Sequence, residues 1–285
     1  MNTLELSPVG TVHSPVSSRR KMPVQGVRGE IEIYPEYAGA LDGIGENSHI
    51  ILFCWMHKGE RNLLKAVPRK SCPDLPARGV FSLRSPARPN PVSFNVVRLL
   101  RIHDERFLGV DHLDMVDGTP VLDIKPYQAG WDCIFSATSH DRSEKIRKIS
   151  DEEFIESLIR EAENYHGELC PGLATAVRIA LSASRILNTD LRNSNVVFTP
   201  GPDPCINDAL IGITGARQGN KRLLPSPSQK ETGKGELYCI SREPVQIIFR
   251  VPYRKTGFDT ILKAPDEEIF DIRIKNGDNQ KIREI

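Results

Sequence analysis

Two stretches of this sequence gather residue types that can recognise a ligand. RSPARPNPVSFNVV (84–97) and LDMVDGTPVLDIKPY (113–127) alternate polar groups with conformationally fixed residues inside strand-like sequence. Pro86, Pro89 and Pro91 hold the backbone extended and remove N–H donors, so Arg84, Arg88 and Asn90 are presented from a stiff loop. Asp117-Gly118-Thr119-Pro120 is a turn followed by a strand, which leaves Asp114, Asp117 and nearby backbone groups at a sheet edge. A DGTP turn alone, or an R-x-x-x-R spacing alone, is a common surface feature; the weight lies in the combination.

A second group lies further on. NYHGELCPGLATAVRIA (164–180) places His166 and Cys170 four residues apart at the start of a helix, where the dipole favours a thiolate. PDPCINDALIGITGARQGNKRL (202–223) adds Cys205, Asn207 and Asp208, then Gly215 and Gly219. One histidine with two thiolates suits zinc or another thiophilic ion, with an open position for water or a substrate. The spacing equally suits two ordinary buried cysteines with His166 as a capping residue.

The elements that must position these groups differ between the two halves of the chain. Val27–Tyr34 puts Ile31 and Ile33 on one face and Glu30 and Glu32 on the other, the period of a half-buried strand. His49–Trp55 and Phe94–Leu100 are β-branched or aromatic runs suited to central strands. Short strands joined by Pro- and Gly-rich connections predict a closed or strongly curved sheet. Residues 137–150 (ATSHDRSEKIRKIS) are polar and charged and read as a linker. After it, Ser150 and Glu153 form a capping box for a helix over roughly 151–164. A second helix starts near Pro171 and runs through Leu187, and strands return at Leu237–Ile240 and Val245–Val251. The expected architecture is a mostly β first domain, residues 1–136, and an α+β second domain, residues 150–285.

Bulk properties exclude several classes. A chain of 285 residues with 39% hydrophobic and 26% charged residues has the composition of a globular protein of two domains. No apolar run approaches the ~18 to 20 residues that cross a membrane, and no basic segment followed by an apolar one opens the chain, so a cytoplasmic location is expected. Six scattered cysteines without a C-x-x-C pair argue against a disulfide framework. Net charge is +1, and residues 1–140 carry 16 Lys/Arg against 15 Asp/Glu, so no global basic field marks a nucleic-acid binder; the adjacent Arg19, Arg20 and Lys21 are a local patch only.

With MPVQG (22–26), FCWMH (53–57) and GVFSLRS (79–85), the RSPARPNP and DGTPVLDIKPY segments resemble the TsaA-like (TrmO-like) family, the tRNA threonylcarbamoyladenosine N6-methyltransferases, over roughly residues 7–132. The resemblance implies a small β-barrel that binds S-adenosylmethionine, acts as a homodimer and methylates modified adenosine in the tRNA anticodon loop. It implies a donor site of Pro23, Val24, Gln25, His57, Lys58, Arg84, Phe94, Asp114, Met115, Val116 and Asp117. Arg84 then pairs the methionine carboxylate and an aspartate takes the ribose or amine. Arg88, Asn90, Lys125 and Tyr127 fall to the acceptor side, with Lys125 equally able to pair with Asp123 or Asp132. No G-x-G-x-x-G follows a strand, in keeping with a methyltransferase outside the Rossmann class. The family usually has arginine at the position of Val24 and glycine at that of Ser93. The second half is similar to the FmdE-like family over about residues 152–255, through H-G-x-x-C-P-G and C-x-x-D-A, which implies metal ligands His166, Cys170 and Cys205. The cysteine of that family's T-G-C motif is replaced by Ala216. A small molecule or metal cofactor as methyl acceptor, and a sensor without turnover, are the alternative functions.

Overall fold

The computed structural model describes residues 5–67, 76–139, 142–226, 235–252, 257–277 and 279–284. Cys72, Pro68 and Pro73 lie outside the described residues. The chain divides into two compact units, Met1–Ile134 and Phe135–Ile285.

The first unit is built from β1 (Gly10–His13), β2 (Val27–Ile33), β3 (His49–Trp55), a two-residue ribbon of β4 (Lys65–Ala66) and β5 (Arg78–Gly79), β6 (Val92–His103), β7 (Phe107–Leu113), β8 (Pro120–Pro126) and the short α1 (Ala129–Asp132). Six strands close into a barrel in the order β1-β2-β7-β6-β3-β8, each neighbour antiparallel to the next. The expected closed sheet is present. Alternation explains the lumen: Val12, Ile31, Ile33, Ile50, Leu52, Cys54, Val97, Leu108, Val110, Leu113 and Val121 fill it. Burial pushes the Cys54 thiol up to about 12, against the opposing hydrogen bond with Ser93, so it behaves as a small apolar residue. Ser93, where the family has glycine, turns inward, and its Oγ accepts the Cys54 N–H at 3.2 Å.

A fully antiparallel barrel gathers strand ends on two rims. One rim collects the ends of β1, β3 and β7 and the starts of β2, β6 and β8. Its loops carry most of the residues singled out from sequence.

The second unit contains α2 (Ser143–Lys148), α3 (Asp151–His166), α4 (Pro171–Leu187), β9 (Val197–Thr199), α5 (Pro204–Thr214), β10 (Glu236–Arg242), β11 (Val245–Val251), α6 (Phe258–Lys263), β12 (Asp271–Asn276) and β13 (Asn279–Glu284). The strands form one antiparallel sheet in the order β13-β12-β11-β10-β9. The capping box is formed, with Ser150 Oγ accepting the Glu153 N–H at 3.3 Å. Helix α4 is buried along nearly its whole length, from Gly172 to Leu187, and packs with α3 and α5 around a core that includes Leu158, Leu173, Ile179, Ile206, Leu210 and Phe249.

The linker expectation is corrected here. Within 137–150, Ser143–Lys148 is helical and Ile146 is buried in the second unit's core. The charge that suggested a linker is consumed by pairing: Arg142 Nε donates to Asp190 Oδ2 at 2.8 Å and its Nη1 to Glu161 Oε1 at 2.6 Å. Burial alone would raise the Asp190 carboxyl, but the Arg142 guanidinium outweighs it and holds the group below the usual range.

Candidate functional site

The rim loops are tied to one another by backbone contacts. Between β1 and β2, Pro23–Gly26 makes a turn in which the Gly26 N–H reaches Pro23 O at 3.2 Å. Gly26 sits at φ +80°, and its Cα lies so close to the end of β7 that an added Cβ would stand 2.7 Å from the His112 carbonyl carbon. His112 itself is at φ +64°, beside a register shift where β7 pairs with β2. This bulge turns the chain inward. Asn95, on β6, fastens it: its Oδ1 accepts the Asp114 N–H at 2.9 Å and its Nδ2 donates to His112 O at 3.5 Å.

The same rim is stitched on its other side. Asp117 Oδ1 accepts the Ser14 N–H at 3.0 Å, and the Asp117 N–H donates to Val16 O at 2.9 Å. Lys58 Nζ donates to Ser17 O at 3.1 Å, joining the end of β3 to the β1–β2 loop. The expected DGTP turn is formed, with Gly118 at φ +73°. Met115 and Val116 are buried, Met115 within the barrel core. Partial burial and the neighbouring Lys58 charge hold the His57 imidazole below its ordinary value, so it is neutral at pH 7.

Arg84 enters from the loop before β6. Its guanidinium donates to Phe94 O at 2.8 Å and lies over the Phe94 ring at 5.8 Å; Phe94 in turn meets Phe53 edge-on at 5.8 Å. Both Arg84 and Phe94 are exposed. A guanidinium has five N–H donors, so one bond to Phe94 leaves capacity for a carboxylate. If the methyl donor binds here, Arg84→Ala removes a charge-assisted hydrogen bond of about 1.5–3 kcal/mol and weakens donor affinity roughly 10- to 100-fold in calorimetry. An unchanged affinity would place the donor elsewhere.

Not every expected residue joins this rim. Arg88 braces the loop itself, its Nε donating to Ser85 O at 2.9 Å and its Nη2 to Val80 O at 3.0 Å and to Leu83 O, which leaves its Nη1 donors for an acceptor. Asn90 is exposed at the rim and its carbonyl accepts the Val92 N–H at 2.8 Å. Lys125 forms the exposed ion pair with Asp123 at 2.7 Å, while its Nζ lies 5.9 Å from the Phe53 ring. Tyr127 follows β8, and its N–H donates to His49 O at 3.1 Å at the start of β3, which is the opposite rim. Ser14, Asn95 and His112 were not singled out from sequence. Asn95 alone left a signal, an amide inside the apolar run SFNVV.

In the second unit, three helix ends converge. His166 is the last residue of α3; Gly167, at φ +96°, caps it and reverses the chain toward α4. Cys170 is the N-cap of α4, its Sγ accepting the Leu173 N–H at 3.4 Å, and Cys205 stands in the first turn of α5. Gly172 permits the approach: a Cβ there would lie 2.6 Å from Cys205 Cβ. One ligand atom from each of His166, Cys170 and Cys205 falls within 4.8 Å of the others, and His166 Nε2 is 3.3 Å from Cys170 Sγ. Burial, then the nearby Cys170, raises the Cys205 thiol above its ordinary value. One imidazole and two sulfurs, two of them at helix N-termini, fit a thiophilic dication. Ala216, in place of the family cysteine, is fully buried. Gly172→Ala is expected to destabilise the second unit by roughly 1–3 kcal/mol through overpacking, read as a lower urea midpoint.

A closed six-stranded barrel with its loops gathered on one rim, followed by an α+β unit with a His–Cys–Cys cluster, defines the class: a fusion of a barrel domain and an FmdE-like domain. The family described as tRNA-methyltransferase O N-terminal domain matches residues 11–133, and that described as FmdE, Molybdenum formylmethanofuran dehydrogenase operon, matches residues 165–255. A probable S-adenosyl-L-methionine-binding protein of Archaeoglobus fulgidus is 32% identical over 255 residues, 85% of this chain and 66% of the relative. A probable S-adenosyl-L-methionine-binding protein of Methanothermobacter thermautotrophicus is 47% identical over 128 residues, 44% of this chain and 90% of the relative. The tRNA (adenine(37)-N6)-methyltransferase of Mus musculus is 32% identical over 139 residues, 49% of this chain and 32% of the relative. The chain belongs to the tRNA-methyltransferase O family of S-adenosylmethionine-binding barrel proteins, with an FmdE-like domain fused behind the barrel.

Proposed function

We propose that this chain is an S-adenosylmethionine-dependent methyltransferase whose acceptor is N6 of threonylcarbamoyladenosine in the tRNA anticodon loop, working as a homodimer. The observation that carries the reading is the convergence of the family's donor positions on one rim: the Pro23–Gly26 turn, Lys58, Arg84 with Phe94, and Asp114–Asp117. Family membership and the name of the mouse relative support the acceptor.

Methyl transfer forms a nitrogen–carbon bond as the sulfonium–carbon bond breaks, and the single proton on the carbamoylated N6 leaves to solvent; the donor itself supplies the leaving group. The chain's contribution is positional. Arg84 pairs the donor carboxylate, the Phe94 ring offers an apolar face, and Asp114 offers a carboxylate for the ribose or amine. Neutral His57 avoids repelling the cationic sulfonium. In the second unit, His166, Cys170 and Cys205 would hold a thiophilic dication such as zinc, which would supply Lewis acidity or structural closure.

The test incubates the protein with methyl-labelled donor and two acceptors in parallel, tRNA carrying unmethylated threonylcarbamoyladenosine and a small-molecule extract. Label in the tRNA nucleoside is expected. Label confined to the small-molecule fraction would move the acceptor to that class, and label in neither would remove the enzyme reading.

A further inference from the structure

We infer that Asp208 is a positioning residue of the metal centre: its carboxylate takes the Nδ1–H of His166 and so commits Nε2 to the ion. The inference rests on the reading of His166, Cys170 and Cys205 as metal ligands.

The two nitrogens of His166 are distinguishable. Nε2 lies 3.3 Å from Cys170 Sγ, on the side where the three ligand atoms converge. Nδ1 is buried and makes no hydrogen bond, in a side chain only 9% exposed. A buried N–H without an acceptor costs about 1–3 kcal/mol, so this orphan calls for a partner. The Asp208 carboxylate is the acidic group beside it, with Oδ2 at 3.8 Å from Nδ1. That separation is ion-pair range but beyond a hydrogen bond. The Asp208 side chain is half-exposed at 49%, so it has room to close the remaining gap.

Its place on α5 is specific. Asp208 follows Cys205 by three residues, so the two share one face of the helix, Cys205 meeting the ion and Asp208 reaching the ring that also meets it. Neighbouring Asn207 is already engaged: its side chain brackets Gly201, donating to Gly201 O at 2.9 Å and accepting the Gly201 N–H at 3.1 Å. An imidazole that donates one N–H to a carboxylate has its tautomer fixed and its other nitrogen made a better donor to a metal.

The test measures zinc affinity of the full chain by chelator competition, with Co2+ absorption as a check on ligation, for wild type, Asp208→Ala, Asp208→Asn and Asp208→Glu. Asp208→Ala is expected to bind zinc about 10- to 100-fold more weakly. The sulfur-to-cobalt charge-transfer band should persist, since both thiolates remain. Asp208→Glu should recover part of the loss, and circular dichroism of the metal-free chains should be unchanged. Equal zinc affinity in wild type and Asp208→Ala would overturn the role of Asp208 while leaving the metal centre standing. No zinc binding by wild type would overturn the metal centre and this inference with it.

Discussion

Gly26→Val is expected to abolish S-adenosylmethionine binding and to lower the stability of the barrel. Gly26 holds φ +80°, and a side chain there would meet the His112 carbonyl carbon at 2.7 Å, its oxygen at 2.9 Å and the Leu113 carbonyl carbon at 2.9 Å. These are backbone atoms, fixed by Asn95 and by the ladder between β2 and β7, and they cannot rotate away. A β-branched residue in the left-handed region costs roughly 1–3 kcal/mol, and overpacking adds a comparable ~1–3 kcal/mol. The strain relaxes where the structure is weakest, by lifting the Pro23–Gly26 turn off the chain that carries Asp114. Gly118 separates the two costs. It is also left-handed, at φ +73°, but an added Cβ meets nothing within 4 Å. Asparagine tolerates this conformation, so Gly118→Asn should keep donor binding and Gly26→Asn should not. Equal calorimetric affinity in both variants would show that the close approach of the two loops does not shape the site.

Cys170 replacement is expected to remove the metal altogether, and two variants distinguish why. Cys170 has two jobs, offering a thiolate toward His166 and Cys205 and capping α4 through the Leu173 N–H. Serine keeps a capping oxygen but is a poor ligand for a soft ion; alanine loses both. Zinc content measured by elemental analysis should therefore fall from about one ion per chain to near zero in both variants and in His166→Ala. Only Cys170→Ala should also lose the cap, about 0.5–2 kcal/mol, read as a lower urea midpoint of the metal-free chain. Full zinc retention in Cys170→Ser would remove this cysteine from the centre.

Local signals carried much of the fold. The β-branched and aromatic run His49–Trp55 and the strand expected at Val245–Val251 have their observed bounds, and the Ser150–Glu153 box and Pro171 located the starts of α3 and α4. Local signals failed where tertiary context decides. Helix α5 is short and mostly apolar, so it shows little periodicity and was not expected from the sequence. Helix α2 looked like a linker because it is short and charged, and Arg142, the residue that caps it, finds its partners Glu161 and Asp190 far away in sequence.

The candidate site divides in the same way. Arg84, the DGTP turn and the His166–Cys170 spacing were visible as residue types at fixed intervals. Tyr127 and Lys125 lie next to DGTP in sequence, but a strand of seven residues carries the chain across the barrel, so Tyr127 emerges at the opposite rim. Asn95 and His112 act through a bulge, and a bulge is set by how two strands register, which neither strand encodes alone.

We propose that the methyl donor sits on the rim shared by the Pro23–Gly26, Arg84–Phe94 and Asp114–Asp117 segments. Ultraviolet crosslinking of methyl-labelled S-adenosylmethionine to the full chain, followed by mass-spectrometric mapping of labelled peptides, tests it most directly. Label is expected within residues 22–26, 57–58, 84–94 or 112–117, competed away by S-adenosylhomocysteine. Competable label confined to residues 135–285, or no competable label at all, would contradict it.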